Sequence, residues 1–179
     1  MPLNLEIKAR IENPSDAAVM ANSIGAEFSG DLLQVDTYFK VPEGRLKLRR
    51  INDTVSELIF YEREENGDRR YSKYEVHETG NPESLTSVLS LAVGIRCVVK
   101  KRRTMYMFRG ARIHLDQVEG LGTFLEFEVP VEDSREKAEE TLEFLISAFR
   151  LGPSDFFRNS YVDLKERENG EVLTAENRG

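Results

Sequence analysis

The sequence predicts an α+β fold in which an antiparallel β-sheet curls around a charged lumen and helices pack on its outer apolar face. Strand-like segments outnumber helix-like ones, the strands alternate charged with apolar residues, and three helix-like segments are available to cover the apolar side. The interior of a small barrel is normally filled by side chains, so a lumen lined by charges needs an equally charged ligand.

Eight segments are predicted to be strands because they alternate in character or are rich in β-branched and aromatic residues. Turn-forming residues separate several of them, as at Pro42-Glu43-Gly44, Asn66-Gly67-Asp68 and Arg109-Gly110. The predicted strands are Leu3–Ile11, Val35–Val41, Arg45–Ile51, Ser56–Arg63, Tyr71–Thr79, Cys97–Phe108, Ala111–Val118 and Thr123–Val131.

Three segments are predicted to be helices because each starts with a residue that favours a helix N-terminus and stops at a glycine. They are Pro14–Ile24, Pro82–Val93 and Ser134–Leu151. The segment Phe156–Leu164 fits neither pattern and stays ambiguous. The length favours one domain, over residues 1–168, followed by a flexible tail over residues 169–179.

The composition restricts both the compartment and the partners. The chain has 25 Lys and Arg against 32 Asp and Glu, a net charge of -7, whereas a duplex-binding protein is usually strongly basic. Its single cysteine, Cys97, excludes an internal disulfide. Neither a signal peptide nor an apolar run long enough to span a bilayer is visible. We therefore expect a cytoplasmic protein with no nucleic-acid and no membrane partner.

The polar faces of the predicted strands carry mixtures of acidic and basic residues. In the first strand Asn4, Glu6 and Lys8 share one face, opposite Leu5 and Ile7. The same parity groups Arg45, Lys47 and Arg49, then Lys101 and Arg103, then Arg112, His114 and Asp116, and finally Glu126 and Glu128. A sheet with one face in water would alternate in the same way, but it would not need such mixtures on strand after strand.

A lumen of both signs favours a ligand of both signs. Lysine and arginine bind phosphate oxygens, while carboxylates bind hard divalent cations. A triphosphate that chelates Mg²⁺ or Mn²⁺ therefore suits this lumen. Some roles stay open at this point: His114 is either a general base or a hydrogen-bonded lumen residue, and Tyr61 and Tyr74 either stack on a base or pack.

The motifs resemble those of the CYTH superfamily, the triphosphate tunnel metalloenzymes, in the order in which that family has them. The resemblance covers nearly the whole chain. It rests on Asn4-Leu5-Glu6-Ile7-Lys8, Gln34-Val35-Asp36-Thr37-Tyr38-Phe39, Leu46-Lys47-Leu48-Arg49, Tyr61-Glu62-Arg63, Lys101-Arg102-Arg103, Leu115-Asp116-Gln117-Val118-Glu119-Gly120-Leu121-Gly122, Phe124-Leu125-Glu126-Phe127-Glu128 and Ser160-Tyr161-Val162-Asp163-Leu164.

The resemblance implies an eight-stranded antiparallel tunnel open at both ends, a homodimer, and roles for specific residues. The implied metal ligands, for Mg²⁺ or Mn²⁺, are Glu6, Asp116, Glu126 and Glu128. The implied phosphate-binding residues are Lys8, Lys47, Arg49, Arg63, Lys101 and Arg103. The implied catalytic residues are Glu6, Lys8, Glu126 and Glu128. Asn4 departs from the family, which has a glutamate at the first position of this motif, and an amide oxygen is a weaker ligand for a hard cation.

Three functions are compatible with these residues. In the first, water attacks the terminal phosphorus of tripolyphosphate, thiamine triphosphate or a nucleoside triphosphate. In the second, the 3′-hydroxyl of ATP attacks the α-phosphorus, as in the class IV adenylate cyclases of the family. The third is a non-catalytic module that binds polyphosphate or nucleotide. We favour hydrolysis because no motif that secures adenine is visible.

Overall fold

The eight predicted strands are present and close into a barrel. The computed structural model describes residues 1–64, 69–157 and 159–167. The strands are β1 (Leu3–Arg10), β2 (Glu27–Phe39), β3 (Arg45–Ile51), β4 (Val55–Glu64), β5 (Arg70–Glu78), β6 (Ile95–Phe108), β7 (Ala111–Val118) and β8 (Gly122–Pro130). They are hydrogen-bonded in the order β1-β5-β4-β3-β2-β6-β7-β8, and β8 returns to β1. All pairs are antiparallel, which confirms the predicted architecture.

Strand β2 begins earlier than its alternation predicts. The sequence pattern indicates a start at Val35, whereas the strand starts at Glu27 and pairs with β6 along both of its halves. The register between these strands shifts between Phe28 and Gly30, and Gly30 has a φ of 151° that other residues rarely adopt. The irregular pairing breaks the period-2 pattern, so the first half of β2 carries no clear strand signal.

The helices are α1 (Pro14–Ser23), α2 (Pro82–Ala92), α3 (Arg135–Ala148) and α4 (161–167), with a short 3₁₀ turn at Pro153–Asp155 before α4. Asparagine or serine caps each of the first three by accepting a backbone N–H bond: Asn13, Asn81 and Ser134. In the part of the chain that the structure describes, no helix is both long and apolar enough to cross a membrane. The predicted tail over residues 169–179 lies outside the described residues.

Helices α1 and α3 cover the apolar outer face of one half of the barrel. Their buried residues pack against apolar side chains of β1, β7 and β8, and burying such surface is the main stabilising contribution to folding. The cluster includes Ala21, Leu142 and Leu145 from the helices and Leu5, Ile7, Ile113, Leu125 and Phe127 from the strands. Helix α2 contributes no buried residue, and its Leu91 is 87% exposed.

The described residues of the ambiguous segment Phe156–Leu164 lie at one end of the barrel. Phe156 forms a bridge with Ala9 of β1, and the N–H of Phe157 donates to the carbonyl of Lys8. The chain then enters α4, where Tyr161 and Val162 are buried in a second apolar cluster. Lumen-facing side chains of the strands complete it, including Tyr38, Val99, Val118 and Phe124. The implied tunnel is therefore packed with side chains at this end.

Candidate active site in the barrel lumen

The barrel encloses a cavity of about 280 Å³ whose walls carry the charged residues that strand parity groups together. In β1, Asn4, Glu6 and Lys8 line it, and the register with β8 places Glu6 beside Glu128 and Lys8 beside Glu126. Because side chains of a strand alternate between faces, the apolar residues of β1 point outward to α1 and α3. The alternation along β1 therefore places its charged residues in the lumen and its apolar residues on the outer face.

Three glutamates, Glu6, Glu126 and Glu128, form what we call the carboxylate wall. Glu126 accepts a hydrogen bond from Arg103 at 2.9 Å and lies 3.3 Å from the Lys8 ammonium. Burial opposes its ionisation, but these cations hold the pKa of Glu126 well below its usual range. His114 is buried beside it, with Nδ1 3.4 Å from the carboxylate.

The other two glutamates are paired with different cations. Arg112 donates to Glu128 at 2.7 and 3.2 Å, and the Asn4 amide also donates to Glu128. Glu6 has one contact, at 3.3 Å, with Arg63. Burial raises the pKa of Glu6, Arg63 partly opposes that shift, and the neighbouring Glu128 and Glu126 raise it further. The carboxylate wall is thus a concentration of negative charge in which each glutamate is paired with cations that also line the cavity.

Asp116 lies behind this wall and is fully buried. Arg103 donates to both of its oxygens, at 2.7 and 2.6 Å, and the Tyr161 hydroxyl donates to one of them at 2.8 Å. Burial acts against ionisation, yet Arg103 holds the pKa of Asp116 below its usual range. The C-terminal segment therefore contacts the lumen through Tyr161.

Lys47, Arg49 and Lys101, together with Asp36, form what we call the cation wall. Its members come from β2, β3 and β6, which are consecutive in the barrel. Burial lowers the pKa of Lys47 to about 7, with Arg49 adding to the shift and Asp36 opposing it. Burial likewise lowers the pKa of Lys101 to about 8 against the attraction of Asp36. Both lysines therefore titrate near neutral pH.

Arg63 differs from the other arginines of the lumen because most of its donors are unused. Its Nη2 donates to Glu6, but its Nε and Nη1 are buried and have no hydrogen-bond partner in residues 1–64, 69–157 and 159–167. A buried donor without a partner is unfavourable by about 1–3 kcal/mol, and more when it is charged. In β1, the Oδ1 atom of Asn4 is a buried acceptor that also has no hydrogen-bond partner among the described residues. All three atoms belong to residues that line the cavity, and none has a hydrogen-bond partner among the described residues.

The chain is similar in sequence to known proteins. The model of the CYTH domain family matches residues 3–167. The chain belongs to the CYTH family. It is 24% identical over 173 residues to the "Putative adenylate cyclase" of Methanocaldococcus jannaschii, covering 91% of this chain and 98% of that one. Membership confirms the resemblance given above, and CYTH proteins are generally enzymes that act on triphosphates.

Solved structures agree with the CYTH fold. A Pyrococcus horikoshii protein is 27% identical, with a TM-score of 0.82, and the match covers 90% of this chain and 98% of that one. A Pyrococcus furiosus protein is 28% identical, also with a TM-score of 0.82, covering 90% and 99%. This chain and the two Pyrococcus proteins therefore share the same overall fold.

The structure brings the predicted CYTH site residues together around one lumen. The cavity is lined by Glu6, Lys8, Lys47, Arg49, Arg63, Lys101, Arg103, Glu126 and Glu128, whereas Asp116 bonds to Arg103 from behind. Arg102, of opposite parity, is exposed on the outside. Sequence reasoning gave no role to Asp36, Arg112 or Gln34, although the same parity rule places all three on the lumen face.

The carboxylates of the CYTH site are engaged by cations. Among residues 1–64, 69–157 and 159–167, no three His, Cys, Asp or Glu side chains converge closely enough to hold a metal ion. The chemistry nevertheless fits a hard divalent cation, since the carboxylate wall offers only oxygen donors and Asn4 adds an unpartnered amide oxygen. Holding a cation here requires the glutamates to leave Lys8, Arg103 and Arg112.

Proposed function

We propose that this protein is a divalent-metal-dependent enzyme that hydrolyses a triphosphate bound along its lumen. The observation that carries the proposal is Arg63. Its Nε and Nη1 donors are buried, have no partner in the part of the chain that the structure describes, and lie beside the carboxylate wall. An anion that accepts from these donors removes the penalty of leaving them unsatisfied. A guanidinium group suits phosphate because it is always charged and carries several N–H donors.

In this proposal the remaining cations extend the phosphate site across the lumen. Lys47, Arg49 and Lys101 offer charge from the cation wall, while Lys8 and Arg103 lie at the carboxylate wall. Lys8 and Arg103 now neutralise Glu126, and a phosphate chain that accepts from them releases that carboxylate. A single ligand thus replaces several internal ion pairs.

Glu6, Glu126 and Glu128 are the residues that would hold the metal, and Asn4 contributes its free oxygen. Asp116 as a fourth ligand stays a prediction, because its oxygens accept hydrogen bonds from Arg103 and Tyr161. Oxygen ligands favour Mg²⁺ or Mn²⁺ over softer metals. When bound, such a cation neutralises phosphate charge and promotes attack by water.

The reaction itself asks this chain mainly for positioning. Water adds to the terminal phosphorus, the bond to the bridging oxygen breaks, and that oxygen leaves as the end of a diphosphate. Arg63 and the cation wall hold the phosphates in line and stabilise the charge that develops on the leaving oxygen. The carboxylate wall, beside Lys8, provides oxygens that accept the proton of the attacking water.

Adenylate cyclase activity is the second candidate, and one observation favours it. Part of the cavity wall is apolar, formed by Leu32, Ile59, Val76 and Met105 from β2, β4, β5 and β6. Such a wall suits an organic group attached to the triphosphate, which inorganic tripolyphosphate lacks. The Methanocaldococcus jannaschii relative carries the name of this activity. Binding without turnover is the third outcome.

A substrate panel separates these functions. Tripolyphosphate, thiamine triphosphate and ATP are each incubated with Mg²⁺ or Mn²⁺, and phosphate, pyrophosphate and cyclic AMP are measured separately. We expect metal-dependent release of phosphate that Arg63→Ala reduces and Arg102→Ala does not. Equal amounts of cyclic AMP and pyrophosphate from ATP would establish the cyclase instead. Tight binding with no product in any assay would overturn both enzymatic proposals.

A further inference from the structure

Asp36 contacts every basic residue of the cation wall. Its Oδ1 accepts from Nε of Arg49 at 2.7 Å, and its Oδ2 accepts from Nη2 of the same residue at 2.9 Å. The ammonium groups of Lys47 and Lys101 lie 3.2 and 3.3 Å from Oδ2. Asp36 is 1% exposed, so these contacts are shielded from bulk solvent. One carboxylate therefore joins cations of β3 and β6 across β2.

We propose that Asp36 is the positioning residue of the cation wall and sets how tightly the lumen binds a triphosphate. This inference rests on the proposed function, because it assigns the cation wall to phosphate. Asp36 reaches the ligand only through Lys47, Arg49 and Lys101, which line the cavity that it lies behind. Three cations gathered without ligand would repel each other, and the shared carboxylate holds them in place before the phosphates arrive.

Asp36 acts on charge as well as on position. The charged groups around Lys47 are Asp36, Arg49 and Lys101, and the rings of Tyr38 and Tyr61 lie 5.6 and 5.5 Å from its ammonium. Around Lys101 they are Asp36, Arg103, Arg49 and Asp116, with the Tyr161 ring at 5.3 Å. In both sets Asp36 is the principal acid. Without it, burial and the neighbouring cations favour the neutral lysines at neutral pH.

A competing interpretation gives Asp36 the opposite effect. If the carboxylate merely competes with phosphate for the three cations, removing its charge strengthens triphosphate binding. If it positions and charges them, removal weakens binding, and the loss grows with pH because the lysines deprotonate. The two interpretations thus differ in the sign of one measured affinity and in its pH profile.

The test compares Asp36→Asn with Asp36→Glu, using binding of tripolyphosphate by calorimetry in the presence of a chelator. Asparagine keeps the size of the side chain and removes its charge. For Asp36→Asn we expect affinity to fall roughly 10- to 100-fold at pH 8, and by a smaller factor at pH 6.5. Glutamate keeps the charge and displaces it, so Asp36→Glu should lose roughly tenfold at both pH values.

Asp31→Asn is the matched control, since Asp31 lies on the same strand with an exposed side chain. Unchanged or tighter binding by a folded Asp36→Asn protein would overturn the proposal. If that variant does not fold, wild-type affinity in Asp36→Glu overturns it equally. Wild-type protein is measured first, with tripolyphosphate, thiamine triphosphate and ATP, in chelator and with Mg²⁺. Failure to bind any of them under either condition would instead contradict the proposed function.

Discussion

The two walls of the lumen neutralise their charges in different ways. On the cation wall, three basic side chains share one carboxylate, Asp36, that lies out of reach of solvent. On the carboxylate wall, each glutamate has different cations: Glu6 has Arg63, Glu126 has Lys8 and Arg103, and Glu128 has Arg112. The counter-ion of the cation wall lies behind the cavity, whereas the counter-ions of the carboxylate wall line it.

This difference indicates which contacts change when a ligand binds. The contacts of Asp36 lie behind the cavity, so phosphates can bind to the open sides of Lys47, Arg49 and Lys101 without displacing it. Lys8, Arg103 and Arg112 face the cavity, so a ligand there competes with the glutamates for contacts with these cations. Buried ion pairs add little net stability, because their attraction mainly offsets the loss of hydration. Exchanging them for a metal and a phosphate is therefore not prohibitively unfavourable.

The largest expected effect is on the carboxylate wall. Glu126→Gln or Glu128→Gln should lower turnover of a triphosphate by roughly 10²–10³-fold, because each removes a charged ligand of the cation in the proposed mechanism. Turnover is measured at saturating Mg²⁺ and Mn²⁺, together with the thermal midpoint of each variant. Glu62→Gln, on the exposed face of β4, serves as the control. Full activity of wild-type protein in excess chelator would contradict the metal assignment.

Arginine substitutions should separate the walls by affinity. A charge-assisted hydrogen bond contributes ~1.5–3 kcal/mol, so Arg49→Ala and Arg103→Ala should each weaken tripolyphosphate binding by one to two decades. Arg103→Ala should also destabilise the fold by about 3–5 kcal/mol, because it leaves Asp116 buried with one hydroxyl partner. Arg49→Ala should destabilise it less, since Asp36 keeps two lysines.

Binding calorimetry and denaturant titration measure these two quantities. Arg102→Ala, exposed on the strand that carries Arg103, should change neither. Equal losses of stability in Arg49→Ala and Arg103→Ala would contradict the expectation that Asp36, with three cationic partners, tolerates the loss of one better than Asp116 does. If both variants lose cooperative unfolding and neither shows an effect specific to the ligand, the results would favour the interpretation that these residues form an ordinary charged face of a sheet and not a binding site.

Strand parity predicted which residues face the lumen but not how they pair there. Alternation is a local property of a strand, so Lys47, Lys101 and Glu126 could be assigned to one face from the sequence alone. Pairing depends on which strands become neighbours. That Asp36 lies between β3 and β6, and that Arg63 keeps two free donors, follows from the barrel order. Packing of Tyr161 into the lumen depends on a C-terminal segment with no periodic signal.

The next largest effect concerns the cation wall, whose two lysines should make triphosphate binding depend on pH. The pKa of Lys47 is about 7 and that of Lys101 about 8, so both lose charge as pH rises from 7 to 9. Tripolyphosphate gains negative charge as pH rises over this range, which favours binding to cations, so a fall in affinity reports the loss of charge on the protein. Affinity should therefore fall on the order of tenfold between pH 7 and pH 9. Calorimetry without metal measures it.

Stability of the unliganded protein should change in the opposite direction. The folded-state pKa of Lys47 lies below the ordinary lysine value of 10.5, so between these values the unfolded chain binds a proton that the folded chain lacks. This difference makes the lysine's contribution to the free energy of unfolding rise with pH from about 7 to about 10.5. Lys47→Arg, which keeps its charge, should flatten both profiles. Parallel changes in affinity and stability would contradict the assignment.

The smallest expected effect concerns Asn4, where this chain departs from the usual CYTH motif. Its amide donates to Glu128, while its buried oxygen has no partner among the residues that the structure describes. A carboxylate there would replace a favourable contact by repulsion from Glu128. Asn4→Glu should therefore lower the thermal midpoint without metal by a few degrees, as ~1 kcal/mol does in a domain of this size. A divalent cation should recover that loss and bind several-fold more tightly than in wild type. Thermal shifts titrated with Mg²⁺ and Mn²⁺ measure this, and Asn4→Gln is the neutral control of equal length. If Asn4→Glu and Asn4→Gln respond identically to both metals, residue 4 lies outside the coordination sphere, and the cation must be placed nearer to Glu126.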